Sequence, residues 1–201
     1  LAYWRARLAG LSALPQLPLD HPRPAAQTYH GAQASADLDP DVLRALRQIS
    51  QQAGATLSMT LQAAFQVLLL RVTGQEDVAV GLPIANRRDV AVEGLIGPFV
   101  NTLILRADLS GNPSSRAALA RVRQASLEAY AHQDLPFARL VAELNPARSL
   151  SHGPLAQVMF NHINVPLPAA ALSELRGEAV ELDRGAAQFD LTLTVIDAAA
   201  A

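Results

Sequence analysis

The chain has 201 residues, half of them apolar and 17% charged, with a formal net charge of −2, which is enough apolar matter to bury a core in one compact domain or two small lobes. All sixteen basic residues are arginine and eighteen acids offset them, so there is no single-sign surface for a nucleic acid backbone or an anionic membrane. The absence of cysteine excludes disulfides, thiolate metal sites and cysteine nucleophiles, and removes redox chemistry as a guide to compartment.

In chain order, Leu1 to Arg7 holds Trp4 and no apolar run or cleavage site of a secretory signal; it reads as a helix entered partway. At the other end a strand pattern runs through Asp197 straight into four alanines, and both ends lead us to expect a piece of a longer protein. Pro15, Pro18, Pro22 and Pro24 fix the backbone in extended form and predict a linker. Asp39 followed by Pro40 predicts a capped helix start, and Leu43, Leu46, Ile49 and Ala53 keep helical spacing until Gly54. A second helix is expected from near Ser58, with Leu61, Ala64, Phe65, Leu68 and Leu69 forming a broad apolar face that predicts deep burial before Gly74. The uncharged stretch from Gln48 to Leu70 is long enough to span a bilayer, but its Gln, Ser and Thr side chains are too costly in lipid.

Val78-Ala79-Val80 predicts a short buried strand, and Pro83 to Gly97 a loop. Phe99 to Ala107 is the clearest strand in the sequence. Ser114 opens a helix through Leu119, Val122, Ser126 and Tyr130, and Leu135-Pro136 starts another that reaches Leu144. A loop over 145–154 leads to Gln157-Val-Met-Phe160, and strands are expected near Glu178 to Leu182 and from Phe189 to Ile196. The mixed order predicts an α/β domain, a layered sheet with helices.

Self-contained chemistry is sparse. There is no Gly-x-Ser-x-Gly elbow, phosphate loop, dinucleotide glycine pattern or His-Glu-x-x-His. His132 and Asp134 offer two metal ligands without a third at helical or hairpin spacing, and read instead as a polar patch that ends one helix and caps the next. His162 titrates near neutral pH and has the chemistry of a general base, although a histidine at a strand end facing solvent or a crevice is the plainer reading.

Three clusters are too specific for loop filler: Gly81-Leu-Pro-Ile-Ala-Asn-Arg-Arg88 with Ile96-Gly-Pro-Phe-Val-Asn-Thr102; Ala131-His-Gln-Asp-Leu-Pro-Phe137; and Arg148-Ser-Leu-Ser-His-Gly-Pro-Leu155 leading into Gln157-Val-Met-Phe160. In these the sequence resembles the condensation domains of nonribosomal peptide synthetases, members of the chloramphenicol acetyltransferase-like superfamily. Tyr3-Trp4-Arg5 and Leu19-Asp-His-Pro-Arg-Pro24 are similar to the segment that joins the family's two lobes. The resemblance implies an inter-lobe linker over 1–24 and a C-terminal lobe over 25–201 that lacks its last elements. The implied activity is peptide-bond formation between two thioesters on phosphopantetheine arms, which partner carrier proteins hold; no cofactor is expected on this lobe itself.

The family's His-His-x-x-x-Asp-Gly motif belongs to the first lobe and has no counterpart in this chain. No catalytic residue is therefore expected in it, and the chain alone is expected to be inactive. Arg87 matches the arginine that pairs with the motif's aspartate, through a guanidinium suited to clamping a carboxylate; Arg88 reads as a solvated loop charge. Gly97 and Pro98 are expected to let backbone approach a substrate tunnel closely, within a floor-like loop that includes Phe99 and Val100. Core packing is expected to account for Phe99, Val100 and Leu103. Asn101, polar at the start of an apolar strand, is expected to find hydrogen-bond partners and fix that loop.

His132 and Asp134 are expected to form a structural joint. Arg148 matches the family's arginine, but Ser149, His152 and Gly153 replace its usual neighbours, so a lobe or tunnel contact is expected rather than a strict ion pair. Asn161 can aim an amide at the reacting centre, and Asn161 to Arg184 corresponds to the stretch that crosses to the other lobe as a latch. Expected partners are the N-terminal lobe, donor and acceptor peptidyl carrier proteins and an adjacent adenylation domain, with no nucleic acid, no membrane and a cytoplasmic location. Two alternatives stand beside this reading: a noncatalytic docking module, and a coenzyme A-dependent acyltransferase of the same superfamily.

Overall fold

Most helices begin where the sequence caps them. In the computed structural model, which describes residues 1–12, 14–146, 149–164 and 182–197, α1 spans Ala2–Arg7, α2 Pro40–Gln52, α3 Leu57–Thr73, α4 Val90–Glu93, α5 Ser115–Ala131 and α6 Phe137–Leu144. Asp39 accepts from the Asp41 N–H, Thr56 from that of Met59 and Ser114 from that of Ala117, each satisfying a donor that helix geometry leaves unpaired. α2 and α3 are bent by 105° at their break, and no single helix among the described residues is long and apolar enough to cross a membrane.

The strands are β1 (Asp77–Ile84), β2 (Asn101–Asp108), β3 (Val158–Ile163) and β4 (Leu191–Ile196), in the order β2-β1-β3-β4. β1 runs antiparallel to β2 from Asp77↔Asp108 to Ile84↔Asn101, whereas β3 lies parallel to β1, at Gly81↔Met159, and to β4. β1 is longer than its sequence suggests because Gly81 is an adaptation to its neighbour rather than a strand end. A Cβ there would overlap the Met159 sulfur and lie 3.1 Å from Met159 Cε, so glycine lets that side chain cross β1 where it stands.

Alternation along the strands sends Val78, Val80 and Leu82 to the same face as Leu103, Leu105 and Ala107. α3 and α5 pack on the sheet and on each other, burying Phe65, Leu69, Leu119 and Val122. α3 buries part of the apolar face expected of it, through Phe65 and Leu69 with Leu61 against the core, but the buried side is shifted from the expected one. Leu68 and Ala64 are exposed, while Gln62 and Gln66 are buried, because α5 meets α3 on that side and Ser126 Oγ reaches Gln62 Oε1 at 3.5 Å.

The stretch over 1–24 is more than extended chain. Trp4, 1% exposed, and Leu8 belong to the core. Further on, the Arg23 guanidinium grips both oxygens of Asp190 and reaches the Ser151 carbonyl, and this pairing pushes the Arg23 pKa up. Gln27 donates to the carbonyls of Leu150 and Gln188, so residues 23–27 lie as a strap across the chain that returns at 182–191. The strand expected near Glu178 and the loop with Pro166 and Pro168 lie outside the described residues.

Candidate functional site

Because β1, β3 and β4 are parallel, their carboxyl ends share one edge of the sheet, where antiparallel β2 presents its amino end. Ligands of open α/β sheets bind beyond the carboxyl ends of strands, and this edge gathers most of the residues singled out from sequence. Arg87 follows β1, Asn101 opens β2, Asn161 and His162 lie in the second half of β3, and Asp197 follows β4.

Arg87 is half-buried. Its Nη1 donates to the carbonyls of Val92 and Glu93 at the end of α4, and its Cζ lies 4.2 Å from the centroid of the Phe99 ring. The cation thus shapes its own loop by satisfying carbonyls that the short helix leaves free and by stacking on an aromatic face. Its Nε and Nη2 donors have no partner among the described residues.

Phe99 lies half-buried beneath that guanidinium, but Val100 is 71% exposed, contrary to the expectation that core packing accounts for it. The ladder of β2 begins only at Asn101, whose side chain shares the helix-facing side with buried Leu103; Val100 alternates to the other side. Val90, Leu95 and Ile96 are exposed too, so the loop carries an apolar apron. Gly97 and Pro98 lie in the open. A Cβ at Gly97 would meet the Phe99 ring at 3.4 Å, an ordinary contact, so nothing among the described residues requires glycine there.

Asn101, 9% exposed, is fully used. Its Nδ2 donates to the carbonyls of Gln133 (2.9 Å) and Leu135 (3.0 Å), and its Oδ1 accepts from the Phe137 N–H (2.9 Å). Pro136 provides no side-chain cap for α6, and Asn101 supplies that cap from another strand. Asp134, read from sequence as part of the capping patch, instead pairs with Arg88 at 3.1 Å. Both partners are exposed, so the pair is worth at most about 1 kcal/mol. His132 ends α5, with Nδ1 2.9 Å from the Glu128 carbonyl.

Asn161 is half-buried in mid-strand opposite Thr194, and its amide has no hydrogen-bond partner among the described residues. His162, next to it, faces the helix side, and its Nε2 is buried without a partner among the described residues. Burial holds its pKa below the ordinary imidazole value, opposed by nearby Asp197, which pairs with Arg47 of α2 at 2.8 Å. Arg148 lies outside the described residues. Beside that position, Ser149 Oγ lies 2.8 Å from Ser151 Oγ, which contacts His152 Nδ1 at 2.9 Å. A groove of about 430 Å³, lined by Val141, Pro146, Leu150 and His152 among others, lies between this loop and α6. No group of three His, Cys, Asp or Glu residues able to hold a metal is found among the described residues.

Sequence reasoning passed over Tyr3 and Trp4 as working parts of this edge. The Trp4 Nε1–H donates to the His132 carbonyl at 3.0 Å, and the Tyr3 ring stacks on the His132 imidazole. The signal was there in Trp4 and Leu8, four apart on one helix face.

The profile of the Condensation domain family matches residues 1–200. The chain belongs to the condensation domain family. This condensation-domain chain is 46% identical over 193 residues to malpinin synthetase of Mortierella alpina, covering 96% of itself and 2% of that protein. Among solved structures it matches the X-domain from teicoplanin biosynthesis with a TM-score of 0.89 and 31% identity over 97% of this chain and 44% of that one. The same X-domain in complex with OxyB matches with a TM-score of 0.88 and 30% identity, covering 97% of this chain and 42% of that one. The condensation domain from the monacolin K polyketide synthase MokA gives a TM-score of 0.78 at 27% identity, with 98% and 48% covered. The layered α/β fold is therefore that of condensation domains, and the chain spans under half of these solved chains.

Proposed function

We propose that this chain is the C-terminal lobe of a condensation domain that forms peptide bonds between carrier-tethered thioesters. In that reaction the acceptor's amine nitrogen attacks the donor's thioester carbon. The C–N bond forms, the C–S bond breaks, and the proton given up by the amine ends on the departing thiol of the phosphopantetheine arm. Phosphopantetheine comes with the donor and acceptor carriers, the catalytic histidines come from the N-terminal lobe, and an adenylation domain follows as neighbour.

The observation that carries this reading is the disposition of Arg87. Nη1 is committed to the Val92 and Glu93 carbonyls, which leaves Nε and Nη2, a side-on pair of donors suited to clamping a carboxylate. The apolar apron of Val90, Leu95, Ile96 and Val100 beside it suits burial against another lobe.

The test is Arg87→Ala in the parent protein, with both carriers loaded. Condensation is expected to fall by at least about tenfold, because a first-lobe carboxylate loses its partner. Near-normal product formation overturns the role. The alternative reading is a noncatalytic module that docks a partner protein, and the related X-domain was solved in complex with one, OxyB. Product that appears with the parent protein and disappears when the donor carrier is left out excludes that second reading.

A further inference from the structure

Between α5 and α6 the chain turns over five residues, His132 to Pro136, with Pro136 unable to donate an N–H. Three carbonyls of this joint are taken by side chains from distant elements. His132 O accepts from Trp4 Nε1 at 3.0 Å, and Gln133 O and Leu135 O accept from Asn101 Nδ2. The His132 ring lies flat on that of Tyr3, with centroids 4.0 Å apart and planes 6° apart. Arg88 reaches Asp134 of the same turn.

Arg88 and Asn101 are the two ends of the loop that carries the apolar apron and places Phe99 under Arg87. The Asn101 end of that loop is therefore fastened to one short joint, the Arg88 end meets the same joint through its weaker exposed pair, and the joint is fastened to α1. Two bodies that share one support do not shift independently, since moving α1 strains the joint that sets both loop anchors.

We propose that Trp4 is a positioning residue. Through the His132 carbonyl and the 132–136 joint it holds the 88–101 loop, and with it Arg87, in register with α1. This rests on the reading of the chain as a condensation lobe for its effect on rate alone; its effect on the loop stands without it.

The experiment uses the parent protein and Trp4→Phe, which keeps an aromatic ring in the core and removes the Nε1–H donor. One net hydrogen bond corresponds to about a three- to tenfold change in local opening, so amide exchange over 88–101 is expected to quicken by that factor. Under the condensation reading, turnover per folded molecule falls by a similar factor while KM for each loaded carrier is unchanged. Leu8→Ala, a neighbouring core truncation, is expected to lower Tm yet leave turnover per folded molecule and the 88–101 exchange as they were.

Tyr3→Leu, at a half-buried position, removes the ring stacked on His132 and is expected to reproduce the Trp4→Phe exchange pattern. Exchange that quickens in α1 and the joint but not in 88–101 overturns the proposal. So does a Leu8→Ala pattern indistinguishable from that of Trp4→Phe. Quickened exchange in a parent protein that makes no peptide bond instead counts against the condensation reading and leaves the coupling standing.

Discussion

Replacing Asn101 by alanine tests the hub of the site directly. The side chain is buried and makes three hydrogen bonds near 3 Å, two given to carbonyls of the α5–α6 joint and one taken from the first N–H of α6. At about 1 kcal/mol net for each, the truncation is expected to cost about 3 kcal/mol, well above the half kilocalorie typical of a surface change. For a chain of this length that is a fall in Tm of about 6–12 °C. The chain's single tryptophan is buried and bonded to the same joint, so Trp4 fluorescence alongside calorimetry follows the loss. Asn101→Asp separates the two kinds of bond. It keeps an acceptor for Phe137 but faces two carbonyls with a carboxylate, so it is expected to be as destabilising as alanine at neutral pH and to recover partly as the carboxyl protonates. A cost below about 1 kcal/mol for Asn101→Ala, or an Asp variant as stable as the wild type, refutes the idea that this side chain holds the joint.

Two further predictions concern the sheet. Gly81→Ala overpacks the site where Met159 crosses β1 and is expected to cost about 1–3 kcal/mol. Adding Met159→Ala removes the overlap, so the double variant in urea unfolding is expected to be more stable than the summed single costs; strict additivity refutes the contact. For His162, burial disfavours the charged form in the folded chain, so the unfolded chain binds the proton more readily. Stability is then unaffected above the ordinary value of 6.5 and is lost as pH falls through it. Between about pH 8 and about pH 5 the wild-type urea midpoint is expected to drop further than that of His162→Gln, and equal drops count against it.

Local chemistry was legible where one residue acts on its own neighbours. The Asp39-Pro40 start and the Ser114 cap lie where the sequence places them, because a cap is a bond between residues two or three apart. Asp134 shows where such reading stops: it looked like a cap for α6, but the cap comes from Asn101, more than thirty residues away, and Asp134 turns to Arg88. The buried side of α3 was legible only in part, at Phe65 and Leu69, for a related reason. Its apolar residues spread over a wide arc, so periodicity does not fix the edge of the buried side, and contact with α5 buries Gln62 and Gln66 while Leu68 faces out.

The sequence by itself determined the class of fold and, through three ordered clusters, the condensation domain family; both rest on patterns written along the chain. It also marked Arg87, Asn101, His132, Asp134 and Asn161 as residues to watch. Only the tertiary structure decided how they work together. Parallel pairing of β1, β3 and β4 brings their ends to one edge, and the α5–α6 joint draws Trp4, Arg88 and Asn101 onto the same short turn. The physical reason is that a backbone carbonyl has no residue type. Which carbonyls are left unpaired, and which distant donors reach them, follows from where helices stop in space rather than from the letters at those positions.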